Sequence, residues 1–165
     1  MASLSAEISL RELIDLEARQ LDDWRLDDWL ALFDESAIYW IPIDEASDPA
    51  TSPSIIYEDR ASLAMRIEQL MRQNRPAQSP RSRLLHQVTN VELSLEGDQA
   101  SARYGLVVFE VRAGDRRQGG QGNRHFHAGT CRMRFVKREA GWRILEKRVV
   151  LLDRDLPQES LSYLL

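Results

Sequence analysis

The sequence predicts an α+β fold in which three N-terminal helices pack into the concave face of a curved, mostly antiparallel sheet, giving a cone-shaped barrel. Apolar residues recur at helical spacing in the N-terminal part of the chain, and they alternate on a two-residue period from Arg83 onward. Gly105 and Gly129 interrupt the alternating stretches. We expect these two glycines to mark the bulges that such curvature needs.

The bulk composition predicts one globular domain, residues 1–165, with 43% hydrophobic and 29% charged residues. The longest apolar runs, such as Tyr104 to Phe109, are far too short to cross a bilayer. The single cysteine and the lack of a signal-peptide pattern after Met1 predict a cytoplasmic location. The net charge is −4 and the arginines are interleaved with acidic residues, so we expect neither a membrane nor a nucleic acid as partner.

Helix-start signals place the first two helices. Ser9 followed by Glu12 predicts a capping box, and apolar residues at helical spacing carry the first helix to Leu21 or three residues beyond. Asp27 is predicted to cap a second, shorter helix. The segment Asp34-Glu35-Ser36 breaks the helical pattern, so we expect the second helix to end before it.

The next stretch predicts one strand, two loops and a third helix. Ala37 to Ile43 is apolar or aromatic apart from Pro42, which is typical of a strand that is buried or lies at a rim. Asp44 to Pro53 is predicted to be irregular. Asp59 is predicted to cap the third helix, and a second loop, Arg72 to Arg81, follows that helix.

Four alternating segments predict the main sheet. Gly97-Asp98 is predicted to turn the first of these strands into the second, and a tight turn joins the last two into a twisted hairpin. Gly114 to Gly122 is the longest predicted connection. Most titratable groups of the last hairpin are Arg, Lys and Glu, which suit a solvated sheet face or a subunit interface better than an acid/base pair. The predicted strands are Arg83 to Glu96, Ala100 to Arg112, about Arg124 to Lys137, and Trp142 to Leu152.

The histidine pair His125 and His127 is the strongest candidate for metal binding. On a strand, both rings would point to the same face. With Gly119 the pair matches the opening of a cupin metal motif, but Arg132 stands where that motif carries its glutamate, so we predict hydrogen bonding within a loop edge or subunit contact instead of a metal site. A Rieske cluster needs two cysteines, which this chain lacks, and no helical His spacing supports a non-haem iron site with two histidines and one carboxylate.

Other catalytic motifs are weak or absent. Cys131 lies in the middle of a predicted strand, which favours a packed side chain over a nucleophile. The sequence contains no Gly-x-Ser-x-Gly elbow, phosphate-binding loop or dinucleotide fingerprint. An alternative remains that the cone encloses a pocket in which a His, Tyr or Asp acts on a small hydrophobic substrate, as in a stand-alone isomerase or dehydratase. The residues that could line such a pocket are Tyr39, Trp40, Tyr57, His86 and Tyr104.

Several segments, taken in their order and spacing, carry a resemblance to a known family. They are Leu26 to Phe33, Tyr39 to Pro42, Ser54 to Arg60, Arg81 to Arg83, His86 to Val91, Gly141 to Ile144, Lys147 to Leu151, and Leu161 to Leu165. Together they resemble the small (beta) subunit of aromatic-ring-hydroxylating dioxygenases. The resemblance spans nearly the whole chain, and the Ile-Ile-Tyr-Glu-Asp-Arg segment is most similar to the branch that acts on benzoate-like aromatic acids.

The resemblance implies a fold of the nuclear-transport-factor or ketosteroid-isomerase type, which agrees with the cone predicted from the pattern. It also implies a large alpha subunit that carries a Rieske [2Fe-2S] cluster and mononuclear iron, with three copies of each chain in a hexamer whose stem is a beta trimer. Such a complex uses NADH and dioxygen to form a cis-dihydrodiol from an aromatic ring. The implied role of this chain is structural, without catalytic, cofactor-binding or metal-binding residues, and its strand Arg and Glu residues are expected to form ion pairs between subunits.

Overall fold

A computed structural model gives the fold and describes residues 2–73, 78–112, 124–156 and 161–165. Among these residues, no helix combines the length and apolarity that a membrane crossing requires. The predicted loop Gly114 to Gly122 lies outside the described residues. The helices are α1 (Ala2–Asp22), α2 (Leu26–Leu30) and α3 (Arg60–Arg72), and the strands are β1 (Phe33–Pro42), β2 (Ser54–Asp59), β3 (Arg83–Glu96), β4 (Gln99–Val111), β5 (Arg124–Arg138) and β6 (Gly141–Leu151).

The six strands form one sheet in the order β2-β1-β6-β5-β4-β3. Neighbouring strands are antiparallel except for β1 and β6, which are parallel. The predicted α+β class is therefore confirmed. In the described part of the chain the sheet does not close into a barrel, because β2 and β3 each pair with a single neighbour and form its two edges.

The helix-start predictions had mixed outcomes. The capping box was wrong, because α1 begins seven residues before Ser9 and the Ser9 hydroxyl donates to the carbonyl of Ser5 inside the helix, at 3.0 Å. Asp27 does not cap α2 but lies in its first turn. The cap of α3 is confirmed, since the Asp59 carboxylate accepts from the Ser62 amide at 2.8 Å.

The main sheet follows the prediction closely, whereas the first strand pair does not. β3 to β6 match their predicted ranges within one residue at each end. β1 begins at Phe33, so it includes the Asp34-Glu35-Ser36 segment, where its register with β6 is irregular. The prediction also missed β2, which contains Ile55 and Ile56, ends at Asp59 directly before α3 and pairs antiparallel with β1.

The bulges predicted at Gly105 and Gly129 had different outcomes. The irregularity near Gly105 lies on the partner strand β3, where Asn90 has a φ of 55°. The register of β4 and β5 is unbroken at Gly129, so the predicted bulge there is wrong. A Cβ at Gly129 would lie 2.3 Å from the Val150 carbonyl oxygen, so this position is glycine because two backbones approach closely.

The core lies between the helices and one face of the sheet, which we call the inner face. Side chains at alternate strand positions point into it, and residues 163–165 are buried against the same core. The opposite face, which we call the outer face, carries no helix of the described chain. Its composition differs along the strands, as described below. The largest fully buried side chains of the core include Trp29, Tyr39, Tyr104, Phe135 and Lys147.

Candidate functional site

The interior of the cone, where the sequence suggested a pocket, is filled by side chains. The Tyr39 hydroxyl donates to the Leu165 carbonyl at 3.1 Å and accepts from the Leu165 amide at 3.0 Å. The Tyr104 hydroxyl lies 3.7 Å from the Met133 sulfur. Burial raises the pKa of both phenols well above the ordinary value, so neither ionises near neutral pH. Both tyrosines are core residues.

His86 is oriented as a general base would be, but it is closed off from solvent. Its Nδ1 lies 2.6 Å from a carboxylate oxygen of Asp22, which also accepts from the His86 amide at 2.9 Å. A carboxylate in this position fixes the imidazole tautomer. The His86 side chain has no exposed surface, and four clefts formed by described residues, of about 120 to 560 Å³, are lined by other side chains. The pair ties the end of α1 to β3.

Trp40 and Tyr57, the other two predicted lining residues, lie on the outer face. Their rings are 5.9 Å apart, and Tyr57 is 49% exposed. The Arg148 guanidinium stacks over the Trp40 ring at 4.3 Å from its centroid. The structure therefore does not bring the five predicted pocket residues together.

A buried ion pair crosses the interior and was not predicted. The Glu17 carboxylate accepts from Lys147 Nζ and from Trp29 Nε1, each at 2.6 Å, and the Glu17 and Lys147 side chains are 2% and 0% exposed. Lys147 points inward because the pairing of β5 with β6 is irregular at Leu145, which reverses the alternation counted from Ile144. Strict two-residue counting would have placed Lys147 outside, and the sequence carries no signal of the bulge.

His125 and His127 occupy alternate positions of β5 directly opposite Glu110 and Val108, so they share a face as predicted. Within the described ranges, no group of three or more His, Cys, Asp or Glu side chains is arranged to hold a metal ion. Arg132 lies on the outer face, opposite to the histidines, so its charge does not adjoin them as the cupin comparison assumed. The remaining residue of that comparison, Gly119, is outside the described residues.

Cys131 is fully buried in the core between strands β4 and β6. Burial raises the pKa of its thiol to about 12, although the nearby Lys147 ammonium acts in the opposite direction. The side chain is therefore a protonated thiol at neutral pH. This agrees with the predicted packing role and not with a nucleophile.

The outer face presents an exposed apolar row at one end. Leu85, Phe109 and Phe126 lie directly opposite one another on β3, β4 and β5. Their side chains are 51%, 43% and 67% exposed. Leu152, just beyond β6, is also exposed, and its amide donates to the Ala128 carbonyl at 2.9 Å. Large apolar side chains in register on an uncovered face are typical of a protein contact surface. We call Leu85, Phe109 and Phe126 the apolar row.

Farther along the same face, three arginines lie opposite one another. Arg103, Arg132 and Arg148 are paired across β4, β5 and β6, and we call them the arginine row. Like charges in directly opposed positions repel. Glu45 offsets part of this repulsion, since its carboxylate accepts from Arg132 at 2.7 Å and its carbonyl accepts from Arg148 at 2.5 Å. An open cleft of about 520 Å³ lies over the row, and its lining adds a fourth guanidinium from Arg134 and two carboxylates from Glu92 and Glu146.

Comparisons with known proteins extend these observations. Residues 16–158 match the family described as ring hydroxylating beta subunit. Over 120 residues the chain is 37% identical to the 2-halobenzoate 1,2-dioxygenase small subunit of Burkholderia cepacia, which covers 68% of this chain and 73% of that protein. The beta subunit of benzoate 1,2-dioxygenase from Burkholderia mallei has a TM-score of 0.73 at 24% identity, covering 94% of this chain and 95% of that one.

A further solved structure bears on the fold. An NTF2-like protein with a cystatin-like fold from Novosphingobium aromaticivorans has a TM-score of 0.65 at 23% identity, covering 96% of this chain and 92% of that one. The predicted fold of the nuclear-transport-factor type is therefore confirmed.

Proposed function

This chain belongs to the ring-hydroxylating beta-subunit family, and from that premise we propose that it is the non-catalytic, structural small subunit of the terminal oxygenase of an aromatic-ring-hydroxylating dioxygenase. Its partner is a large alpha subunit that carries the Rieske cluster and the mononuclear Fe(II). Three copies of each chain assemble around a trimer of this subunit. The complex uses NADH and dioxygen to convert an aromatic acid to a cis-dihydrodiol, and the benzoate-like substrate is assigned from the names of the halobenzoate and benzoate relatives.

The chemistry of the donor groups supports a structural role for this chain and iron centres in the alpha subunit. The one cysteine is buried and protonated near neutral pH, and the interior acid Glu17 is already bound by Lys147 and Trp29. His86 is closed off from solvent. One core runs from Leu10 to Leu165, which supports residues 1–165 as a single domain. We place the complex in the cytoplasm.

The apolar row is the observation that carries the assembly role. Three large side chains stand side by side and largely exposed on a face that no described helix covers, while the inner face is fully packed. Removing such side chains from water contributes about 25 cal/mol per Å² of apolar surface. We assign the apolar row to the contact between copies of this subunit. Association would also cover the strands on which the row lies.

The test replaces the apolar row in the assembled complex. Phe109→Gln with Phe126→Gln, co-expressed with the alpha subunit, should lower the molar mass in light scattering below that of the hexamer because the contact loses its apolar centre. Met65→Gln, which changes a 62% exposed side chain on α3, is the matched control and should leave the hexamer intact. An unchanged hexamer in the double variant would remove the apolar row from the contact. Turnover of an aromatic substrate by the isolated chain would overturn the structural role.

A further inference from the structure

We infer that the arginine row receives the acidic tip of the β3–β4 hairpin of the next copy, so that copies of this subunit meet head to tail. The tip consists of Glu96 and Asp98, which flank Gly97 at the turn between β3 and β4. This inference rests on the proposed self-association and names the charged groups that direct it.

The two carboxylates of the tip are available for ion pairs with another copy. Glu96 and Asp98 are exposed, and within the described residues neither forms an ion pair. Gly97 has a φ of 62° and open space around its Cβ position, while the Asp98 carbonyl accepts from the Lys137 amide of β5 at 2.8 Å and holds the turn at the end of the sheet. The two carboxylates form a compact anionic group at this end of the sheet, where β5 runs beside β4 as far as Gln99.

The arginine row is incompletely neutralised within its own chain, because its cleft holds four arginines against the carboxylates of Glu92 and Glu146, with Glu45 beside it. Arg103 is exposed and forms no ion pair in the described part of the chain, although Glu92 lies opposite it in the register. The single carboxylate of Glu45 serves Arg132, and only a carbonyl and the Trp40 ring face Arg148. Two additional carboxylates in the 520 Å³ cleft would offset the repulsion between the opposed guanidinium groups and offer each an acceptor.

The positions of the two groups limit the symmetry of the contact. The tip lies at the β3 edge of the sheet, whereas the row crosses its middle strands. A twofold axis through the row would set arginines against arginines, which is unfavourable. A head-to-tail contact joins two different surfaces, and such contacts close into a ring when the rotation permits. Charge therefore disfavours a twofold dimer whose axis passes through the row, and it is compatible with the three-membered ring of the proposed function.

The experiment reverses each charge group and then both together. The tip variant is Glu96→Lys with Asp98→Lys, the row variant is Arg103→Glu with Arg132→Glu, and the combined variant carries all four changes. Glu12→Lys with Asp15→Lys, two exposed acids on α1, is the control matched to the tip variant. Sedimentation equilibrium of the full chain at 0.15 M salt measures self-association. Thermal unfolding verifies that each variant is folded.

The tip and row variants should each weaken self-association at least about tenfold. The combined variant should return to within a few-fold of the unchanged chain, because every contact in the ring regains opposite charges. No rescue, or no weakening in either variant, would overturn the inference. If the unchanged chain does not associate with itself at any salt concentration, the proposed trimer fails as well, whereas association that ignores the charges removes only this inference.

Discussion

Lys147 and Arg148 are neighbours in the sequence and lie on opposite faces of β6, and their surroundings differ completely. Lys147 is fully buried and bound to one carboxylate, that of Glu17. Arg148 is partly exposed, stacks on Trp40 and bonds to a backbone carbonyl of a loop. A cation on the inner face needs a complete partner within the chain because desolvation is costly. A cation on the outer face can remain available to another subunit.

The largest effect is expected on the inner face. Glu17→Ala should destabilise the fold by about 3 to 5 kcal/mol, because it leaves the Lys147 ammonium buried without a counter-charge and the Trp29 N–H without an acceptor. Urea unfolding followed by tryptophan fluorescence measures the change.

The double variant Glu17→Leu with Lys147→Met sharpens this result. It replaces both charges with apolar groups, so most of the lost stability should return. A double variant as unstable as Glu17→Ala would mean that the cost comes from packing and not from the unpaired charge.

Gly129 tests how tightly β5 and β6 approach in the same sheet. Gly129→Ala should cost about 1 to 3 kcal/mol, because the new methyl would meet the Val150 carbonyl at 2.3 Å and the strands must move apart. Ala128→Ser, one position earlier on β5, should change stability by less than about 0.5 kcal/mol. Equal unfolding midpoints for Gly129→Ala and the unchanged chain would contradict the close approach.

Asp34 lies at the rim between the two faces and should give an intermediate, pH-dependent effect. Hydrogen bonds from Arg138 and then Ser36 hold the pKa of this carboxyl well below its usual range. A lowered folded-state pKa stabilises the protein above the unfolded pKa of about 4, and the benefit is lost as the pH falls through the folded value.

Asp34→Asn should therefore reduce stability at pH 7 by up to about 1 kcal/mol, since Arg138 is half exposed. The difference from the unchanged chain should shrink as the pH is lowered below about 4. Chemical unfolding at several pH values measures it, and a difference that grows toward acid would contradict the assignment.

The smallest effect is expected on the outer face itself. Glu146→Gln breaks a 3.1 Å pair with Arg134, whose side chain is 60% exposed, so it should change the stability of the isolated chain by less than about 1 kcal/mol. Glu146 precedes Lys147 directly, which makes this variant the outer-face counterpart of Glu17→Ala. A loss comparable to that of Glu17→Ala would erase the contrast between the two faces.

The sequence predicted the regular parts of this fold and missed its irregular ones. β3 to β6 follow a strict alternation, and their bounds could be read within one residue. The inward position of Lys147 could not be read, because the bulge at Leu145 is decided by pairing with β5. β2 was missed because it is short and continues directly into α3.

The sequence predicted the type of the candidate surface but not which residues come together on it. The Arg and Glu content of the last hairpin indicated a solvated sheet face or a subunit interface, but the alignment of Arg103, Arg132 and Arg148 depends on the register of three strands. Register is a property of the folded sheet and depends on turns and bulges as well as on composition. The apolar row was not predicted for the same reason.

The parallel pairing of β1 with β6 has a consequence for synthesis. On the ribosome, β1 and the helices beside it emerge long before residues 141–151, which supply its second neighbour and the partner of Glu17, 130 residues away. Until then β1 lacks this neighbour and the Glu17 carboxylate lacks its Lys147 partner, and such long-range pairings form slowly. We therefore expect the nascent subunit to become competent for assembly only after residues 141–151 have been synthesised.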